Sequence, residues 1–340
     1  MRFKPPFGLD PFLLILLCDV AGASILPARG QIAVGFTWLA NAVITLLFFL
    51  HGAKLSREAI LSGIGHWRLH LIVACSTFVL FPILGLAVRA LGKGWIDPGM
   101  TAGVLFLCLL PSTVQSSIAF TSIARGNLPA AVCSATLSNV AGIFITPVMV
   151  GVLMGARAKG GGVNLGSIEA IALQLLLPFI AGHLSRPISL PLMDRFKPLV
   201  NLVDRSSILI VIYTAFSAAV VEGIWKKVSP MDIGMVLVIS AIILAIVLTA
   251  TTWAARAFGF DKADEIAIVF CGSKKSLASG VPMAGVLFPP AAVGAMIVPL
   301  MLFHQMQLMV CAILARRYAA GWDNARGGAE GEQPAKAQPA

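Results

Sequence analysis

Two adjacent lysines, Lys274 and Lys275, stand inside Cys271-Gly272-Ser273-Lys274-Lys275-Ser276, in a segment that is otherwise apolar from Ile266 to Leu287. Each apolar flank is about half of the ~20 residues a helix needs to cross a bilayer, so one span interrupted near its centre is the simplest reading. The lysines are then intramembrane. Charge at that depth costs at least ~2.5–3.5 kcal/mol per residue and is tolerable where the side chain faces a wet cavity or an opposite charge. A functional site is therefore expected here. Side chains adjacent on a helix cannot both face one point, and the sequence leaves open which lysine does. A cytoplasmic loop between two re-entrant stubs is the alternative, and it fits the lengths less well.

A second apolar run is broken by Leu109-Leu110-Pro111-Ser112-Thr113-Val114-Gln115-Ser116-Ser117. Proline removes a backbone hydrogen bond and clashes with the preceding turn, and in lipid the freed groups must be satisfied by protein or trapped water. The next run adds Ser134, Thr136, Ser138 and Asn139, which together with Gln115, Ser116 and Ser117 look like a cavity wall. Small polar residues also serve ordinary helix contacts in membranes, so no single one of them marks a site. Asp19 is the one acidic residue placed at mid-membrane depth. A lysine partner would keep it charged, although an interfacial position on a shifted helix fits as well. Glu265, beside Asp264, reads as a helix-start residue favoured by the macrodipole. The five histidines offer no metal-ligand spacing except His66 and His70, an interfacial pair beside Trp67, and no metal is expected. HExxH, GxSxG and Walker A sequences are absent, which leaves zinc protease, α/β-hydrolase and P-loop ATPase unsupported.

These residues need a scaffold, and composition says which kind. With 58% hydrophobic and 12% charged residues, the chain is a polytopic membrane protein, since soluble domains carry roughly 25% charge. Apolar runs predict ten spans at about 9–27, 31–51, 69–91, 99–124, 128–154, 167–185, 206–224, 231–255, 263–288 and 291–315. Sixteen lysines and arginines fall at the N-terminus, the even-numbered loops and the tail, against seven on the other side. The positive-inside rule then puts both termini in the cytoplasm of a cell whose cytoplasmic (inner) membrane holds the protein. The net charge of +10 is thus largely topological and implies no nucleic-acid partner. All six cysteines lie within spans as small apolar residues, and no disulfide framework is implied. The first thirty residues mimic a signal peptide but are retained as span one, which keeps the span count even.

The expected organisation is a cytoplasmic N-terminus (1–8), a ten-helix domain (9–317) in halves of about 9–154 and 167–315, and a disordered tail (318–340) too poor in large apolar residues to fold. The two broken spans are the fourth of each half of five. Paired interruptions at corresponding positions point to the binding site of an inverted-repeat transporter. A weak echo between Gly142-Ile143-Phe144-Ile145-Thr146-Pro147 and Gly294-Ala295-Met296-Ile297-Val298-Pro299 fits that pairing.

Pro111 through Phe120, Gly126 through Pro147, and Cys271 through Pro282 carry a resemblance to the bile acid:sodium symporter superfamily. Within it the chain is most similar to the SBF-like branch of bacterial proteins related to the seventh human member, over roughly residues 9–317. The resemblance implies a panel and a core domain, crossed broken helices four and nine, and secondary transport of organic anions by alternating access. It also implies departures. Val269 and Ser273 stand where the sodium-dependent branch has Glu and Gln, and Ala131 and Ala135 where it has hydroxyl ligands. Ser116 and Ser117 fall where that branch has Ser-Asn. A lysine ammonium can take the position and charge of a bound sodium, so sodium coupling is not expected to be retained. The site residues expected are Asp19, Pro111, Ser112, Thr113, Gln115, Ser116, Ser117, Ser134, Ser138, Asn139, Ser273, Lys274, Lys275 and Ser276. The partners expected are the lipid bilayer and an anionic solute. No cofactor is expected, with Na+ or H+ as the candidate coupling ion. A non-transporting membrane regulator with a vestigial site is the alternative. An enzyme built on Ser273 and Lys275 is a distant third.

Overall fold

Where the apolar runs stop, residues able to start a helix stand ready. Asp97 accepts bonds from the N–H groups of Gly99 and Met100 ahead of Pro98, Asn127 accepts from Ala130, and Asp261 accepts from Asp264. Ser229 and Asp232 form a reciprocal capping box. Each satisfies orphan donors of a helix N-terminus, Asp97 two of them.

A computed structural model describes residues 11–54, 66–92, 94–155, 165–221, 223 and 229–331. Among them the chain forms α1 (Pro11–Ile25), α2 (Gly30–Lys54), α3 (Trp67–Leu91, π-helical over Ser76–Leu80), α4 (Pro98–Leu109), α5 (Val114–Ile123), α6 (Leu128–Met154) and α7 (Leu165–Leu184). There follow α8 (Arg186–Arg195), α9 (Lys197–Val221), α10 (Pro230–Ala257), α11 (Lys262–Gly272), α12 (Leu277–Leu287) and α13 (Pro290–Gly331). The described residues contain no strand.

Six of these helices, α2, α3, α6, α9, α10 and α13, are long and apolar enough to cross a membrane. Counting each bent pair as one span gives eight: α4 with α5, bent by 64°, and Leu175–Leu184 of α7 with α8, bent by 86°. Ten were expected. The difference lies at α1, whose apolar part Leu14–Ile25 is short, and at α11 and α12, which are 11 residues each on either side of the lysine break.

Two boundaries also differ. Helix α9 begins at Lys197 instead of near 206, because Val200 and Val203 pack with Met193 against Phe49, Leu50 and Ala53 of α2. Helix α13 continues to Gly331, so the tail expected to be disordered from 318 is helical that far. Alanines such as Ala319 and Ala320 extend an already nucleated helix at little cost. Residues 1–8 and 332–340 lie outside the described residues.

Packing rests on small residues at close approaches. A Cβ on Gly52 of α2 would stand 1.9 Å from the Phe179 carbonyl of α7, and one on Gly182 would stand 1.9 Å from the Phe49 carbonyl. The two backbones nearly touch, the membrane use of glycine. Helix α4 is buried from Met100 to Leu109, with Phe106 edge-on to Phe288 (5.1 Å between centroids) and, alongside, Phe81 of α3 edge-on to Phe303 of α13 (6.0 Å). At the start of α11 the buried Glu265 carboxylate accepts from Arg256, Lys262 and Tyr318, which ties α10, α11 and α13 together. It is a strut, while Asp261 is the cap.

Gly182→Leu should lower the melting temperature of the detergent-solubilised protein, by an amount corresponding to ~1–3 kcal/mol of overpacking or more. Gly35→Ala, with nothing within 4 Å of the added Cβ, should leave it unchanged. Equal melting of the two variants would mean that α2 and α7 do not meet as described.

Candidate functional site

Pro111 ends α4 and Ser273 ends α11, and the two breaks meet. The Ser276 N–H donates to the Pro111 carbonyl (2.9 Å), so one interrupted helix is bonded directly to the other. Each break leaves the last carbonyls of its first half-helix without N–H partners.

Those of α11 are taken by hydroxyls. Ser117 Oγ donates to Phe270 (3.0 Å), Ser112 Oγ to Cys271 (2.6 Å) and Ser76 Oγ to Gly272 (2.7 Å), while Val269 accepts both the N–H (3.2 Å) and the Oγ (2.6 Å) of Ser273. Those of α4 are taken by a cation. Lys275 Nζ donates to the carbonyls of Cys108 (2.9 Å) and Leu110 (2.6 Å), and the Leu109 carbonyl between them accepts from Thr146 (2.8 Å). The third Lys275 bond goes to Thr77 (2.8 Å) in α3. That carbonyl is spare because the π-helical turn sends the Phe81 N–H to Ser76 instead. Three acceptors use all three N–H bonds of an ammonium, and the Phe81 ring lies 4.1 Å from Nζ. Gln307 completes the break, accepting from the Lys275 N–H and donating to its carbonyl, both at 2.9 Å.

Lys274 points elsewhere. Its Nζ donates to the Ser116 carbonyl (2.9 Å) and stands 3.9 Å from the Phe120 ring and 5.3 Å from Phe270. Both lysines are 0% exposed. Their balance is made by carbonyl dipoles and ring faces instead of a wet cavity or a carboxylate. Asp19, on α1 against α9, reaches neither lysine.

The second half-helices start at a cavity of about 550 Å³. Thr113, Val114, Gln115 and Ser116 bring the N-terminus of α5 to its wall, and Ser276 through Ser279 bring that of α12. Ser276 Oγ caps α12 by accepting from the Ser279 N–H, and Ser279 Oγ donates to Asn139, also in the wall. Thr113 makes no cap bond: its hydroxyl is buried and has no partner. The Ser116 hydroxyl is likewise buried and unpartnered. α2, α7 and α9 add Leu47, Phe48, His51, Lys54, Phe179, Asn201, Arg205 and Ile208 to the lining.

The expected site residues thus separate into groups. Thr113, Gln115, Ser116, Asn139 and Ser276 line the cavity. Pro111, Ser112, Ser117, Ser138, Ser273, Lys274 and Lys275 build the crossing behind it, Ser138 through its hydroxyl on the Ser112 N–H (3.1 Å). Ser134 bonds His70 of α3 away from both. Ser273 and Lys275 do not pair with one another, so no nucleophile and base are assembled there. Sequence reading missed Gln307 and Thr146, polar residues within apolar runs whose burial could have been weighed. It also missed Lys54 and Arg205, which look like ordinary loop charges, and the π-helical turn, which has no sequence mark beyond Pro82.

Comparison with known proteins gives the chain a family. The description SBF-like CPA transporter family fits residues 10–320. An uncharacterised protein of Pseudomonas aeruginosa is 56% identical over 95% of this chain and 96% of its own length. A protein of Escherichia coli K12, YfeH, provisionally named a symporter, is 56% identical over 91% of this chain and 93% of its own. Sodium/bile acid cotransporter 7 of Danio rerio is 27% identical over 80% and 81%. The relatives so named are a symporter and a cotransporter, not enzymes.

Lys275→Met should destabilise the protein strongly, since three buried carbonyls lose their donor at ~1–3 kcal/mol each. Lys274→Met frees one carbonyl and should cost about a third as much. Thermal melting in detergent reads both, and equal shifts would contradict the three-carbonyl cage.

Proposed function

Since this chain belongs to the SBF-like CPA transporter family, within the bile acid:sodium symporter superfamily, we propose that it moves an anionic organic solute across the cytoplasmic membrane as a secondary transporter working by alternating access. One observation carries the reading: the N-termini of α5 and α12 meet at one cavity, with the Thr113 hydroxyl buried there and unpartnered. Each helix N-terminus is equivalent to about half a positive charge, and its free N–H groups form a ready oxyanion site. Discontinuous helices meeting at the membrane midplane are the form such sites take in inverted-repeat carriers.

In keeping with this reading, α4 with α5 and α11 with α12 are the fourth and ninth of ten crossings in two inverted halves, with panel and core domains and both termini cytoplasmic. The cavity then opens to the cytoplasm, because Lys54 ends α2 on that side. Lys275 takes the part of a coupling sodium. Its ammonium brings the same charge to a cage of three carbonyls, held permanently on the chain instead of drawn from solution. A proton is left as the coupling ion.

Thermal shift of the purified protein against carboxylates, sulfonates and phosphate esters should show stabilisation that neutral analogues of the same skeletons do not give, because binding to the folded state raises its stability. Thr113→Val should weaken the response about tenfold, the loss of one hydrogen bond near an anion. Equal stabilisation by neutral analogues would refute an anion site.

Uptake of a stabilising anion into proteoliposomes should be the same in sodium as in choline at matched ionic strength. A large, saturable sodium stimulation would show that Lys275 does not stand in for the ion. A cysteine at position 190 in a cysteine-free background should react with an impermeant thiol reagent only from the cytoplasmic side, and labelling from outside would overturn the orientation.

A further inference from the structure

The segment between α7 and α9 is more than a connection. Helix α7 has 20 residues, the length of a crossing by itself, and α8 then turns away from its last turns by 86°. A helix at right angles to a crossing helix runs along the membrane plane. Met193 sets its depth, packing with Val200 and Val203 of α9 against Leu50 and Ala53 at the end of α2. Helix α8 is therefore level with the end of a membrane-spanning helix, where acyl chains give way to headgroups.

The side of α8 away from α2 is apolar and uncovered. Ile188 and Leu192, four residues apart and so on one face, are 83% and 60% exposed, and Phe196 follows at 46%. Met193 is turned about 140° from Ile188 around the helix. The bare face continues the exposed stripe of Leu177, Ile180 and Leu184 on α7, which on a crossing helix meets lipid.

One charge shares that face. Arg195, three residues from Leu192, is exposed, and its guanidinium lies 5.8 Å from the centroid of the Phe196 ring. It has no carboxylate partner among the described residues, since the adjacent Asp194 pairs with Lys197 (3.1 Å). Basic residues are expected in such a connection, but that rule does not account for three large apolar side chains left bare beside them. A second copy of the chain covering this face would have to bring a carboxylate to Arg195. A phospholipid brings its phosphate and its acyl chains together, and a guanidinium fork matches phosphate oxygens.

We propose that α8 is an interfacial helix that holds an anionic phospholipid, with Ile188, Leu192 and Phe196 in the acyl-chain boundary and the Arg195 guanidinium on the headgroup phosphate. Helices of this kind bind through apolar burial together with attraction to anionic lipid. Arg195 and Lys197 against the single Asp194 leave this end of the segment net positive, which favours anionic over zwitterionic headgroups. None of these residues lines the cavity, so the site does not depend on what the protein carries.

The test uses the full-length protein in nanodiscs of phosphatidylglycerol and phosphatidylcholine, with a spin label at Ile188→Cys, Leu192→Cys or Asp194→Cys, one at a time in a cysteine-free background. Labels at 188 and 192 should be relaxed more by dissolved oxygen than by a water-soluble nickel chelate, and the label at 194 the reverse. In detergent, added phosphatidylglycerol should raise the melting temperature by a few degrees more than phosphatidylcholine does, because binding to the folded state stabilises it. Arg195→Gln should remove that difference and leave melting without lipid unchanged. Nickel reaching 188 and 192 as readily as 194 would put α8 in water and overturn the interfacial placement. Dipolar broadening that vanishes on dilution with unlabelled protein would give the face to a second copy instead. A preference for phosphatidylglycerol that is absent in the parent, or that survives Arg195→Gln, would overturn the headgroup site.

Discussion

Inside a bilayer a main-chain carbonyl without a donor has no water to turn to, and this one constraint organises the molecule. Two helix pairs are interrupted, α4 with α5 and α11 with α12, and each break exposes the last carbonyls of its first helix. The chain answers with side chains from the other break and from α3 and α6. Three hydroxyls close the end of α11, and Lys275 with Thr146 closes the end of α4. The Ser276 to Pro111 bond joins the two breaks. What is left open is the opposite polarity: the N-termini of α5 and α12, which line the cavity. The crossing is therefore a sorted object, with carbonyl ends satisfied within protein and the α5 and α12 N-termini at the cavity wall.

That sorting explains why the most informative residues in the sequence were only half understood. The two lysines were legible because charge in apolar text is rare and costly, and Pro111 with its polar neighbours marked the second break. Their partners were not legible. Periodicity cannot say that Lys275 reaches Thr77 and Leu110, 198 and 165 residues away, nor that its neighbour Lys274 turns to aromatic rings. A carboxylate or a wet cavity is the usual relief for a buried ammonium, and a cage of carbonyls leaves no compositional trace. Lys54 and Arg205 were hidden for the opposite reason. They sit where the positive-inside rule already expects basic residues, so nothing local set them apart.

The helices themselves were read more securely than their ends. Apolar runs found the long helices within a few residues, because burial and the bilayer impose length and composition. Local packing and propensity moved the boundaries. Val200 and Val203 docking against α2 drew α9 back to Lys197, and an alanine-rich stretch carried α13 beyond its apolar part. The short α1 and the 11-residue halves α11 and α12 show the limit of counting apolar residues, since a broken helix satisfies its ends through neighbours instead of through length.

Lys275 also sets an order of events during synthesis. Helix α4 enters the membrane while its terminal carbonyls at Cys108 and Leu110, and the spare carbonyl of Thr77, still await a donor that lies more than 160 residues downstream. Until that lysine has emerged, the first half of the chain carries an incomplete helix end in a medium that penalises it. The first half can reach its finished conformation only after most of the second has been translated and inserted. A chain cut short before residue 275 would retain an exposed polar defect by which membrane quality control can recognise it.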